Sequence, residues 1–355
     1  MRLAAILSEA WRNSRSGASH GVLLWLVLSF LTIGLTTADA LATRAAVEEA
    51  LDYRAAGAAI ATIEAVGAID GTSCDAIASV DGVAAAGALR PAAGPLLPSA
   101  TPGSSLPAYE ATPAFTRLLG SSGAHGAVLS RVAADRLGLR TGDVLTLSSG
   151  AALTIAGVYE WPEDGRRPGL GYAAVVPALA NGAFDECWAT TWPQSAQLVT
   201  LLRSTAMPSS AESASAPVLS TVNSTFGAEF HGGDRHLSRP TRFAPLAALV
   251  AAAFSVAIAV RSRRLALSSA RHHGVRRADV MAVVGAETAW VMVPVAIAAV
   301  AAATLVGASA PADGGAVFEA GLRVLAGTST GAFLGAAVAA ASIRANGLLS
   351  AFTER

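Results

Sequence analysis

Four stretches of this 355-residue chain are long and apolar enough to cross a bilayer, and they settle its fold class before any finer pattern is read. A hydrocarbon core about 30 Å thick needs roughly 20 apolar helical residues. Residues 21–41, 243–260, 286–306 and 324–343 each meet that length or come close to it. Only 14% of the residues are charged, where a soluble domain carries about 25%. The chain therefore reads as a polytopic α-helical membrane protein with four transmembrane helices and a large segment, residues 42–242, inserted between the first two.

The first stretch has a second reading. Arg2, Arg12 and Arg15 precede the apolar run Val22 to Leu35, and Ala38-Asp39-Ala40 fits a small-x-small cleavage site, as in a signal peptide. Residues 1–20, however, are patterned: Leu3, Ile6, Leu7, Ala10 and Trp11 fall on one helical face, as in an amphipathic helix lying on a membrane surface. That favours a retained first helix.

Orientation follows from the arginines at the membrane ends. Residues 1–20, the loop 261–285 and the tail 344–355 together carry a net +8, whereas residues 42–242 carry 13 Arg against 18 acids. Both termini and the 261–285 loop are expected in the cytoplasm, with 42–242 and the loop 307–323 outside. The total charge is zero, which gives no sign of a nucleic-acid partner. All 25 basic residues are arginine. The absence of lysine excludes a P-loop ATPase, a Schiff-base enzyme and a Ser-x-x-Lys nucleophile, so this chain is expected to be no enzyme. Arginine throughout, with heavy use of Ala and Gly, points to a GC-rich bacterial genome and hence to a bacterial plasma membrane.

Within 42–242 the pattern is that of an α+β domain. Residues 42–56 continue the first helix as a stalk, with Val47, Leu51 and Arg54 at helical spacing. A β-like run at 58–68, a short helix at 74–80 and a second β-like run after Asp81-Gly82 follow. Residues 91–113 hold six prolines and read as a loop. From His125 to Leu179 the spacing predicts a strand (Ala127 to Leu129), a helix (Arg131 to Leu137) stopped by Gly138, two paired strands (144–147 and 153–156) and a last strand at 173–176. Cys74 and Cys187 both fall in this outside segment, so they form one disulfide or remain two buried thiols. His231 with His236, and His272 with His273, lack a third ligand at metal-site spacing; they read as solvated loop residues, and no metal is expected. Asn223-Ser224-Thr225 is an accidental sequon, and no catalytic motif is present.

The run Arg261 to Trp290 is the most informative. Leu265, Ala266, Leu267 and Ala270 make one apolar stripe of a short helix, Arg263, Arg264 and Arg271 stay wet, and Gly274 ends it. On charge alone this is a positive-inside loop gripping anionic headgroups. Glu287, an acid at the edge of the third span, calls for a partner, with Arg276 or Arg277 nearest in sequence. Pro294 should kink that helix. In the fourth span Gly327, Gly331, Gly335 and Ala339 recur every four residues, a small-xxx-small packing face.

The order of Arg261, Arg263 and Arg264, Leu265-Ala266-Leu267, Arg271, Gly274, Arg276-Arg277 and then Glu287 resembles the FtsX-like permease module of ABC transporters, which includes MacB-type permeases. Arg264-Leu265 stands where that family reads Arg-Glu, and His273 where it prefers leucine. The stretch AVLSRVAADRLGLRTGDVLTL, with LTIAGV after it, is similar to the family's extracellular domain. The resemblance implies a coupling helix at 261–277 seated on a separate cytosolic ABC-type ATPase, which would bind the ATP and Mg. It implies a second permease copy or paralogue, and mechanotransmission that exports or extracts lipid, lipoprotein, peptide or antibiotic. The alternative it allows is a regulator that switches an extracellular cell-wall hydrolase. A passive anchored receptor is a third reading.

Overall fold

The computed structural model describes residues 2–101, 103–121, 126–207, 216–310 and 314–343. The tail 344–355 and His125 lie outside them. Along the chain, helices α1 (Leu3–Arg15) and α2 (Gly21–Ala55) come first, then β1 (Ile60–Asp70), α3 (Gly71–Ile77), β2 (Val83–Pro91) and β3 (Ala108–Ala111). Next are β4 (Ala127–Ser130), α4 (Arg131–Leu137), β5 (Val144–Thr146), β6 (Ala152–Tyr159), β7 (Ala174–Pro177) and β8 (Ala183–Thr191). The chain continues through α5 (Ala196–Ser204), β9 (Val218–Thr221), α6 (Gly232–Ser238), α7 (Ala244–Ser262), α8 (Arg264–His272), α9 (Arg277–Ala308) and α10 (Gly314–Ser342). It divides into two compact units, Met1–Glu49 with Gly232–Arg355, and Ala50–His231.

The first unit is helical. Among the described residues four helical segments, Gly21–Ala55, Pro240–Ser262, Arg277–Ala308 and Gly314–Ser342, are long and apolar enough to cross a membrane. In α9 the buried residues Val280, Val284, Glu287, Val291 and Val295 recur every three or four positions. The opposite faces are apolar too: Phe30, Phe254, Ile258, Ile297 and Val338 are exposed. Helices apolar all round fit a hydrocarbon surrounding rather than water. Contacts fix the helix directions. On α10, Gly327, Gly331 and Gly335 meet Pro245, Leu249 and Ala253 of α7 in the same order, so these two run parallel. Thr32 donates to Thr328 while Thr36 lies against Gly321, so α2 runs opposite to α10. Gly307 meets Gly314 and Ala303 meets Gly321, so α9 also opposes α10. Alternating directions put α1, α8 and the end of α10 at one end of the bundle; at the other, Arg235 pairs with Glu49, Arg239 with Asp39, and Arg44 donates to Ser309.

Several boundaries differ from the sequence expectation. The loop expected at 307–323 is largely helix, because α9 runs to Ala308 and α10 starts at Gly314. The Glu319–Arg323 pair, one turn apart on the exposed face, lowers the hydropathy there without breaking the helix. Similarly 261–285 is the end of α7, all of α8 and the first turns of α9, where Val280, Val283 and Val284 are already buried. α9 passes through Pro294 as one helix. Residues 42–49 and 232–242 belong with the helical unit, held by the Glu49 and Asp39 ion pairs.

The second unit is a nine-stranded mixed sheet in the order β5-β6-β4-β7-β3-β2-β8-β1-β9. α3 starts where Asp70 accepts from the amides of Thr72 and Ser73, and α4 where Ser130 accepts from Ala133. Gly138, at φ 66°, ends α4 in the left-handed conformation that glycine takes without strain. β4 to β7 fall where the spacing placed them. The segment 91–113 is not all loop, since β3 pairs there with β2 and β7. β8, paired with both β1 and β2, carries no clean alternation in AFDECWATT. Its Asp185-Glu186 pair masks it. Glu186 sits directly opposite Glu64 on β1, a like-charge pairing that is unfavourable across strands. Arg167 resolves the conflict by reaching both carboxylates at 2.6 Å, which also pins its loop to the sheet.

Burial pushes the Glu186 carboxyl up, against the pull of the Trp188 indole N–H and Arg167. A raised acid favours the folded state fully below its unfolded pKa, and that contribution is lost as pH rises through the folded value. Relative to Glu186→Gln, the native chain should thus lose stability as pH climbs from about 4.3 through that raised pKa. Denaturant unfolding followed by tryptophan fluorescence at several pH values reads the difference; a flat difference would refute it.

Candidate functional site

The short helix α8 joins two of the long apolar helices at the end of the bundle that holds α1. Arg263 is the last cap of α7 and the first of α8, with φ −108° and ψ 25°, so the chain turns there. Gly274, at φ 94°, turns it again before α9. Nine residues between two turns give α8 two faces with different fates.

The inner face is fastened by residues the sequence had left in water. Leu267 packs on the bundle core, and Ser268 is buried. Arg271 donates to the carbonyl of Ile343 and Arg277 to that of Ala341, so two guanidinium groups satisfy carbonyls at the end of α10, where the helix dipole is negative. Arg263 donates to both oxygens of Glu287. The partner of Glu287 is therefore Arg263 and not Arg276 or Arg277. Geometry decides this: Glu287 lies more than two turns into α9, while Arg276 caps that helix at its surface. Arg263 and Arg271 are thus half-buried and bonded within the protein rather than left wet.

On the outer face Arg264, Leu265 and Ala266 are exposed, followed by His272, His273, Gly274 and Arg276, with Arg261 on the last turn of α7. Of the expected apolar stripe, Leu267 turns inward whereas Leu265 and Ala266 face out. This leaves a small basic and apolar surface on a helix whose back is tied down. Asn13 of α1 was missed by sequence reasoning; it donates to Glu287 at 2.8 Å. α1 packs on α9, with Trp11 and Trp290 rings 5.4 Å apart, while Leu3 and Leu7 remain exposed.

Gly327, Gly331 and Gly335 lie where a methyl group would overlap the carbonyl oxygens of Pro245, Leu249 and Ala253. They set the close approach of α7 and α10. At the other end of the bundle, His236 is partly buried in α6 rather than in a solvated loop, and burial with Arg239 nearby pushes its pKa down. Cys74 and Cys187 are joined in a disulfide. Asn223 of the sequon is fully buried, donating to Ala56 and Asp164, which physically bars it as a glycan acceptor. Among the described residues, no group of three or more His, Cys, Asp and Glu is placed to hold a metal.

No protein-family model matches the chain, and no curated protein matches it. Among solved structures, the periplasmic region of MacB from Actinobacillus actinomycetemcomitans is similar over 42% of this chain and 82% of that one, with 8% sequence identity and a TM-score of 0.31.

Proposed function

We propose that this chain is a membrane subunit of an ATP-driven complex in which a separate cytosolic ABC-type ATPase binds ATP and Mg and presses on α8. The single observation that carries this reading is the two-faced α8: its back is fixed to α9 and to the end of α10, and its front offers Arg264, Leu265, His272 and His273 to the surface. A loop that only sets topology needs its arginines near lipid headgroups and has no use for such fastening. The positive charge at that end supports placing it, with both chain termini, in the cytoplasm of a bacterial plasma membrane. Residues 50–231 then lie outside. Movement of the bundle would pass along α2, which is unbroken from Gly21 to Ala55, toward that domain. A dimer with a second copy or a paralogue completes the complex. The work done is export or extraction of a lipid-like, lipoprotein, peptide or antibiotic cargo without chemistry in this chain.

The test is gentle solubilisation of the tagged full chain and identification of co-purified proteins. Arg264→Glu with Leu265→Glu, both on the outer face, should cut recovery of a P-loop ATPase roughly tenfold or more, the scale of one lost interface hot spot. Arg203→Glu, at an exposed position of α5, should change nothing. Recovery of no ATPase with the native chain, or equal recovery with the α8 variant, would sink the reading.

A further inference from the structure

Resting on the reading of α8 as a force-bearing helix, we infer that Glu287, Arg263 and Asn13 form a buried clamp that makes α1, the α7–α8 hinge and α9 move as one body. Three observations converge. Arg263 is not on a helix face but at the hinge itself, the residue shared as the cap of α7 and of α8. Its partner Glu287 is on the inner face of α9, and the two side chains are only 10% and 6% exposed. The same carboxylate accepts from Asn13 on α1, 2.8 Å away, so one acid ties three elements separated by up to 274 positions in sequence.

The chemistry suits a clamp. A carboxylate that accepts two N–H groups from one guanidinium fixes both the distance and the plane of its partner, which a point charge such as an ammonium would not. Removing one member leaves the other as an uncompensated buried charge, so the pair fails as a unit rather than by degrees. Arg263 and Glu287 also line a cavity of about 20 Å³, with Ser19, Leu24 and Thr288 around it. That volume takes one water, and no protein acceptor within reach serves the Nε–H of Arg263, which gives such a water a polar partner. Pressure on α8 must then displace α1 and α9 together, instead of merely tilting a loose loop. Glu287, Arg263 and Asn13 are positioning residues that act through α8.

The experiment uses the full chain in native membranes with Trp11→Cys and Trp290→Cys, whose rings touch across α1 and α9. A short bifunctional thiol reagent then reports whether the two helices stay together. Native clamp residues should give the same cross-link yield with and without a non-hydrolysable ATP analogue. Glu287→Gln and Arg263→Gln should each lower the yield at least about fivefold and make it depend on nucleotide, while the double variant, which leaves no buried charge unpaired, falls no further than the worse single. Co-purified ATPase is measured in parallel and should be unchanged, because the outer face of α8 is untouched. Native-like yields in the single variants, multiplying effects in the double, or a lowered yield that ignores nucleotide would each overturn the clamp. Should the native chain recover no ATPase, the yield without nucleotide decides alone: a fivefold fall keeps the clamp and only the functional reading fails.

Discussion

A chain carrying Cys74→Ala and Cys187→Ala should lose about 5 kcal/mol of stability in its sheet unit, the chain-entropy figure for a bridge closing 113 residues. The position of the bridge makes a large effect reasonable. Cys187 lies on β8, an interior strand paired on both sides with β1 and β2, and Cys74 lies on α3, which packs over it. Both are buried among Ile63, Ile69, Ala86, Phe184 and Leu198. Alanine is the better replacement, since serine would add buried hydroxyls with no assured partner, costing about 1–3 kcal/mol each. Trp188, adjacent to the bridge and buried between Phe115 and Trp161, reports the unfolding by fluorescence. Thermal melts with and without a reducing agent give the same comparison without mutation. Coincident melts would mean that the sheet does not depend on the bridge.

Much of this architecture is legible in the chain because it rests on one-dimensional signals. Apolar length marks the four long helices, and the stop at Gly138 with the alternation at 144–147 and 153–156 marks α4, β5 and β6. What escapes is decided by partners distant in sequence. β8 reads as no strand because Asp185 and Glu186 interrupt its alternation, and Glu186 is held by the Trp188 indole and by Arg167, 19 residues earlier and in a loop. The ends of α9 and α10 escape for a related reason: ionic residues at helix ends lower hydropathy while leaving the helix intact.

The candidate site divides the same way. That a short helix with a glycine stop lies between two spans follows from spacing, and so does an acid at membrane depth needing a partner. Which arginine serves which end cannot follow from spacing, because Arg276 and Arg277, nearest to Glu287 in sequence, are not the ones the fold brings to it. In space, the end of α10 takes Arg271 and Arg277, and Glu287 takes Arg263. A signal for Asn13 did exist. It is an uncharged polar residue two positions after Trp11, near the end of an otherwise amphipathic helix.

Gly331→Ala should lower the stability of the helical unit by about 1–3 kcal/mol or more, and Gly331→Leu should prevent accumulation in the membrane. The added methyl meets the carbonyl oxygen of Leu249, with its carbonyl carbon and Cα just behind, so no side-chain rotation relieves the overlap. α7 would have to retreat from α10, and Gly327 on Pro245 and Gly335 on Ala253, one turn either way, would lose contact with it. In lipid no hydrophobic gain opposes that separation, because the helices associate by close packing. Gly285→Ala supplies the opposing case. A Cβ there meets nothing within 4 Å, and in a helix interior alanine is favoured over glycine by about 0.8–1 kcal/mol. The same one-carbon change is therefore expected to destabilise at 331 and to stabilise slightly at 285, measured as thermal stability of the solubilised chain. Shifts of the same sign and size would make the four-residue spacing of glycines on α10 a matter of composition, and would leave the parallel contact of α7 and α10 without its cause.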